Sequence, residues 1–93
     1  MNNWQQKIGK WAADHLELPS DVLLELPRIT IIGQLHVYIE NHKGLLIFSD
    51  QELRLKLKVG QLQVKGKDFV IKAMLPEEIV LEGTIKSLKF LKD

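Results

Sequence analysis

Apolar and basic residues alternate strictly along one segment of the chain, which reads Leu53-Arg54-Leu55-Lys56-Leu57-Lys58-Val59. In a β-strand successive side chains point to opposite faces, so this order predicts one apolar face for a core and one basic face for solvent. After Gly60 the phase shifts by one residue, with Leu62 and Val64 continuing the apolar set. Because a one-residue shift at glycine is typical of a β-bulge, we predict a bulge at Gly60.

The same two-residue period extends on both sides of this segment. Upstream, one predicted strand face carries Ile29, Ile31, Leu35, Val37 and Ile39. Residues 41–44 are predicted as a turn, after which the apolar residues 45–48 pair back. Downstream we predict a turn at 66–68, a strand at 69–74, and one long or two bent strands at 79–91 with an interruption at Gly83. The sequence therefore predicts a mostly β fold, a single small antiparallel meander folded as a sandwich, a roll or a short strand stack.

The first part of the chain has a different pattern. Trp4, Ile8 and Trp11 fall at helical spacing, so residues 1–17 are predicted to form one N-terminal amphipathic α-helix that ends ahead of Pro19. Residues 18–27 lie between prolines and are predicted to be an edge segment with a short strand at 22–25, because proline is excluded from the middle of a sheet. Residues 28–93 then form the β-sheet core, and residues 1–93 are predicted to be a single domain.

The composition excludes several kinds of site. The chain has no cysteine, which rules out a disulfide, a thiolate metal site and a cysteine nucleophile, and which fits a reducing cytosol. No window approaches about 18 apolar residues, so we expect a soluble or peripheral protein and not an integral one. Residues 1–52 carry four Lys/Arg against seven Asp/Glu, and residues 53–93 carry nine against five. This asymmetry predicts an electrostatically polarised surface.

Candidate catalytic and metal-binding residues are isolated from one another in the sequence. His36 is expected on the polar strand face beside Tyr38, and His42 in the turn, both at the surface. A zinc site would have to recruit carboxylates to complete three or four ligands. The serines lack a nucleophile-elbow pattern, and the glycines lie at strand bends instead of in a phosphate-binding loop. We therefore predict no catalytic residue, no metal ligand, no cofactor, no small-molecule substrate and no enzymatic activity.

Two surfaces remain as candidate partner-binding sites. The face formed by Trp4, Ile8 and Trp11 suits a membrane interface or a partner groove, and its alternative is docking onto the open side of the sheet. Arg54, Lys56 and Lys58 form a cationic row that Lys65, Lys67, Lys86, Lys89 and Lys92 could extend. This row suits solvent, an anionic membrane or an acidic partner. Nucleic acid would require aromatic platforms among the charges, and we expect the three phenylalanines to serve the core instead.

The residues 18–33, LPSDVLLELPRITIIG, run from the proline-bracketed segment into the first predicted core strand. Together with the later bends at Gly60 and Gly83, this pattern resembles the YabP/YqfC family of sporulation proteins over nearly the whole chain. The resemblance implies a protein made in the mother cell of an endospore-forming bacterium, where it assists spore development in the cytoplasm or peripheral to a membrane. It also implies a YqfD-like sporulation membrane protein as partner, and it supplies no catalytic residue.

These observations favour a non-enzymatic sporulation protein that acts as an assembly or adaptor module and engages a membrane protein or itself. The alternative is a nucleic-acid-binding β-sheet domain that uses Arg54, Lys56 and Lys58. A homo-oligomer could form through the strand edges expected at residues 22–25 or 84–91, for which few covering elements are apparent.

Overall fold

Six antiparallel β-strands make up residues 26–92, the part of the chain that the computed structural model describes. They are β1 Arg28–Ile32, β2 His36–Glu40, β3 Gly44–Phe48, β4 Glu52–Lys56, β5 Gln61–Leu75 and β6 Glu78–Leu91. They form one open sheet in the order β1-β2-β6-β5-β4-β3. The prediction of a mostly β, antiparallel fold is therefore confirmed. The helix predicted at 1–17 and the strand predicted at 22–25 lie outside the described residues.

The strand order departs from the predicted meander. β2 pairs with β1 on one side and with β6 on the other, whereas β3 pairs with β4. Residues 41–43 therefore carry the chain to the opposite side of the sheet and do not form a hairpin. The physical reason is the length of β5 and β6, 15 and 14 residues, which lets each strand pair with different neighbours along its two halves. One continuous sheet replaces a stack of separate sheets.

The β5–β6 hairpin bends in its middle. Its register shifts between Lys65 and Gly66 and again between Lys67 and Val70. Each bend is held by a neighbouring turn, because the Gly66 N–H donates to the Gln51 carbonyl at 3.0 Å and the Gly83 N–H to the Leu35 carbonyl at 2.9 Å. The turn predicted at 66–68 is therefore wrong, since β5 continues through it. At Gly83, by contrast, β6 is the single long strand that the sequence allowed.

The bend divides the sheet into two half-sheets. The first half-sheet contains β1, β2, residues 78–82 of β6 and residues 70–75 of β5, and the second contains β3, β4, residues 61–65 of β5 and residues 87–91 of β6. Both contribute to one buried cluster, which consists of Val37, Ile39, Leu53, Leu55, Leu57, Leu62, Val64, Phe69, Ile79 and Leu81. The alternating leucines at 53, 55 and 57 thus face the core as predicted.

Turns interrupt the alternation at two places where the sequence indicated continuous strand. Residues 57–60 form a tight turn in which the Leu57 N–H donates to the Gly60 carbonyl at 3.0 Å, and Val59 is 84% exposed. Leu62 regains the core because it lies opposite Leu55 after the chain has reversed, so a hairpin and not a bulge explains the phase shift. Residues 33–35 likewise form a turn, which leaves Leu35 exposed instead of on the apolar face.

The close approach of β5 and β6 at the bend yields a stability prediction. A Cβ atom at Gly66 would overlap the Thr84 carbonyl oxygen and lie 2.8 Å from Cζ of Phe69. Because backbone on both strands would have to move, we expect Gly66→Ala to lower the free energy of unfolding by about 3 kcal/mol or more. Urea denaturation followed by circular dichroism measures this change.

Gly33→Ala is the matched control, because a Cβ there meets no atom within 4 Å and only the left-handed φ of 58° opposes it. That strain costs about 1–2 kcal/mol. Equal losses in the two variants would show that steric contact at the bend is unimportant.

Candidate interaction surfaces

The outer surface of the second half-sheet is basic. Leu53, Leu55, Leu62 and Val64 point into the core, so the residues between them point outward. The cross-strand register places Arg54 opposite Gln63 and Gln63 opposite Lys89, with Lys56 and Lys65 at either side. We call Arg54, Lys56, Lys65 and Lys89 the basic face.

Arg54 is the most constrained member of the basic face. Its Nη2 donates to Oε2 of Glu52 at 2.7 Å, and Nε2 of Gln63 donates to the same oxygen at 2.9 Å. The hydrogen bond from Gln63, followed by that from Arg54, holds the pKa of Glu52 below its usual value. Glu52 thus offsets part of the charge of Arg54. The exposed ammonium groups of Lys56, Lys65 and Lys89 carry the positive charge of this surface.

The predicted cationic row is only partly a row in three dimensions. Arg54 and Lys56 lie on β4, but β4 ends at Lys56, and Lys58 lies in the turn before β5. Cross-strand pairing adds Lys65 and Lys89 instead. The phenylalanines also differ from expectation, because Phe69 is buried in the core whereas Phe48 is 40% and Phe90 63% exposed. Trp4, Ile8 and Trp11 lie outside the described residues.

The outer surface of the first half-sheet carries the opposite charge. Its outward carboxylates belong to Glu40, Glu78 and Glu82, which we call the acidic face. The Tyr38 hydroxyl donates to Oε1 of Glu78, and Arg28 pairs with Glu40 at 3.5 Å. Burial, reinforced by the hydrogen bond to Glu78, raises the pKa of Tyr38. Burial also raises the pKa of Glu40, with Arg28 acting in the opposite direction.

His42 is buried, which corrects the prediction of a surface histidine in a turn. Its side chain is 0% exposed, and the Gly44 N–H donates to its Nδ1 at 3.1 Å. Nδ1 therefore acts as an acceptor and the ring is neutral. Burial lowers the pKa of His42, against the opposing effects of the Glu78 backbone and the Glu77 carboxylate. His42 thus holds the crossing between β2 and β3 through its hydrogen bond with the Gly44 N–H.

The surface of residues 26–92 has several open depressions, and two of them contain residues named above. One is an apolar groove of about 570 Å³ lined by Leu26, Pro27, Leu57, Lys58, Val59 and Phe90. The other contains His36 beside Tyr38 on β2, as predicted, with His36 Nε2 3.1 Å from Oε2 of Glu82 and side chains that are 38% and 42% exposed. Across residues 26–92 no group of three His, Cys, Asp or Glu side chains is placed to hold a metal ion. No helix in this range is long and apolar enough to cross a membrane.

The open antiparallel sheet and its oppositely charged outer faces define a small all-β protein. The model of the YabP family matches residues 25–93. A protein of Bacillus subtilis (strain 168), described as uncharacterized protein YqfC, is 53% identical over 92 residues, which cover 99% of each chain. The chain belongs to the YabP family, and the resemblance seen in the sequence is thereby confirmed.

The burial of His42 yields a prediction about pH. Because the folded state holds this ring neutral, the unfolded chain binds a proton that the folded chain does not, and stability falls as the pH decreases below about 6.5. Replacing His42 with Asn keeps an acceptor for the Gly44 N–H and removes the titrating group. We expect thermal melts between about pH 7.5 and 5.5 to show a smaller loss of Tm in His42→Asn than in the unmodified protein.

The other titrating groups are common to both proteins, so the difference between the two profiles reports His42 alone. The raised pKa of Glu40 acts in the opposite direction, and the lowered pKa of Glu52 acts only in more acidic solution. Parallel profiles would contradict the assignment.

Proposed function

We propose that this protein is a non-enzymatic adaptor of sporulation that acts in the cytoplasm of the mother cell. In this proposal it engages a YqfD-like membrane protein and lies at the surface of the membrane that holds this partner. Membership of the YabP family supports the biological setting. The basic face is the observation that carries the molecular part.

The electrostatics of the sheet favour one orientation toward a membrane. The cytoplasmic side of a membrane is negatively charged, and each Lys or Arg near it contributes about 1 kcal/mol. Lys56, Lys65 and Lys89 project from the same side of one half-sheet, whereas the acidic face belongs to the other. Stable membrane association usually needs a second contribution besides charge. The helix predicted to carry Trp4, Ile8 and Trp11 would supply apolar contact.

The proposal of a non-enzymatic role is supported by the exposure of the polar groups. Catalytic acids and bases are usually held in clefts that exclude water and shift their proton affinity. The His36–Glu82 pair is the most catalysis-like pair in the described region, and both side chains are more than one-third exposed. We therefore assign this pair to the stability of the β2–β6 contact.

Co-purification with the membrane protein tests the role of the basic face. The tagged protein is co-expressed with the YqfD-like protein, and the detergent-solubilised complex is quantified. We expect Lys56→Glu/Lys89→Glu to lower recovery about thirtyfold, since the two residues together contribute roughly 2 kcal/mol and 1.4 kcal/mol corresponds to a factor of ten. Lys67→Glu/Lys72→Glu makes the same change of net charge elsewhere on exposed β5 positions and should leave recovery unchanged.

Three outcomes would contradict this proposal: no complex at all, equal loss in both charge variants, or full recovery of the basic-face variant. Flotation with phosphatidylglycerol and phosphatidylcholine vesicles separates direct lipid binding from binding to the protein. Trp4→Ala/Trp11→Ala tests the predicted helix in the co-purification assay. Unchanged recovery of the complex with this folded variant would remove the helix from the proposal.

The alternative of a nucleic-acid-binding sheet lacks an aromatic platform. Single-strand-binding sheets stack bases on aromatic side chains interleaved with basic ones. The four residues of the basic face are separated on the sheet by Gln61, Gln63 and Ser87, and no Phe, Tyr or Trp occupies a neighbouring outward position on β4, residues 61–65 of β5 or residues 87–91 of β6. We expect no binding of single-stranded DNA or RNA at low salt. Binding that weakens with salt and is lost in Lys56→Glu/Lys89→Glu would favour the alternative.

A further inference from the structure

An open sheet leaves strand edges, and four segments of residues 26–92 pair with a neighbouring strand on one side only. They are β1, β3, residues 67–75 of β5 and residues 84–91 of β6. Unpaired edges attract other strands, and soluble proteins usually protect them with Lys, Arg or Pro. The sequence analysis predicted a strand edge at residues 84–91, but it did not predict that β3 is an edge strand.

β3 alone among these edges carries no such protection. The basic residues within the other three are Arg28, Lys67, Lys72, Lys86 and Lys89. β3 reads Gly44-Leu45-Leu46-Ile47-Phe48, and its four large side chains are between 38% and 46% exposed. An exposed apolar edge without charged side chains can pair with another strand, and the short length and bulge of β3 limit this pairing to a small interface.

A bulge gives β3 an unusual facing pattern. Leu45 lies opposite Leu55 and Phe48 opposite Leu53, so both point toward the core side. In a regular strand two residues that are three positions apart would point to opposite faces. Ile47 lies opposite Arg54 and points outward, and Leu46 is the additional residue of the bulge. The two inward residues, Leu45 and Phe48, therefore lie symmetrically about residues 46 and 47.

This pattern makes β3 complementary to a second copy of itself. In an antiparallel pair centred between residues 46 and 47, Leu45 meets Phe48 of the second copy on the core side, and Leu46 meets Ile47. Lys43 directly precedes β3 and Asp50 follows it by two residues, so in this pairing each Lys43 lies near Asp50 of the second copy. Lys43 is already 2.9 Å from Glu77, but that pair is solvent-exposed and contributes little, so Asp50 can share it.

The charges of the neighbouring strands do not oppose this arrangement. Two β3 strands would separate β4 of one copy from β4 of the other by three strand spacings, about 14 Å. This distance exceeds the screening length of about 8 Å at physiological ionic strength. Repulsion between the two basic faces is therefore weak, whereas the Lys43–Asp50 pairs are close.

We propose that two copies of this chain pair through β3, antiparallel and in this register, so that their sheets become one continuous sheet about a twofold axis. The interface is small, so association depends on concentration. This inference goes beyond the proposed adaptor function and is tested on the purified protein without its membrane partner.

Sedimentation equilibrium from low- to high-micromolar protein is the first test. The mass should rise from the 10.7 kDa of one chain toward twice that value. Ile47→Lys puts a charge on the edge and should leave only monomer. Val70→Lys is the matched control, since Val70 is a similarly exposed apolar residue on the edge formed by β5, and it should dimerise normally. A monomer at every concentration would overturn the proposal.

A charge exchange guards against the chance that Ile47→Lys fails to fold. Asp50→Lys places two lysines near each other at both ends of the pair and should weaken dimerisation about tenfold. Adding Lys43→Asp in the same chain restores opposite charges and should restore the dimer. Dimerisation that responds to neither Ile47→Lys nor this exchange would place the contact elsewhere and overturn the proposal.

Cross-linking tests the register, because the chain has no cysteine of its own. Leu45→Cys protein mixed with Phe48→Cys protein should form a mixed disulfide, since the two positions are opposite each other. Either variant alone should not, because the two equivalent positions are separated by about 10 Å along the strands. Efficient cross-linking within one variant, or no mixed disulfide, would refute the register.

Discussion

The close approach of β5 and β6 at their bend determines how the rest of residues 26–92 is arranged. Where Gly66 passes Thr84, the two backbones leave no room for a side chain. The hairpin can therefore change direction without ending, and each of its strands pairs with different neighbours on either side of the bend. A small domain has little apolar area with which to offset chain entropy. Because β5 and β6 each contribute residues to both half-sheets, the chain builds one core between the two half-sheets.

The separation of charge follows from the same bend. Glu78 and Glu82 come from the part of the sequence that is rich in lysine, yet they join Glu40 on the acidic face because the first residues of β6 pair with β2. Lys89, at the other end of β6, joins the basic face beyond the bend. One strand thus contributes to both charged surfaces. The charge difference between the two sequence halves indicated a polarised surface but could not indicate which residues form each side.

Local sequence pattern predicted the strands and turns better than the way they combine. The alternation at residues 53–57 depends only on neighbours along the chain, and it was confirmed. Gly60 was misjudged because a tight turn and a bulge both shift the phase by one residue. Residues 33–35 were misjudged because Ile31 and Val37 remain in phase across the turn, as they would in a continuous strand. The β2–β6 pairing, the burial of His42 and the exposure of the β3 edge arise from contacts between distant segments. No local pattern distinguishes His42 in a buried crossing from a histidine in a solvent-exposed turn.

Pairing through the β3 edge would determine how the basic faces of the two copies lie relative to each other. In the β3-paired dimer, residues that point toward the core in one copy meet residues that point toward the core in the other, so both basic faces lie on the same side of the continuous sheet. The acidic faces then lie at the far ends, away from the twofold axis. Two sets of Lys56, Lys65 and Lys89 would meet an anionic surface together, and the second contact would form at a high effective concentration. A surface that concentrates the protein would in turn promote the weak β3 contact, so membrane engagement and pairing would strengthen each other.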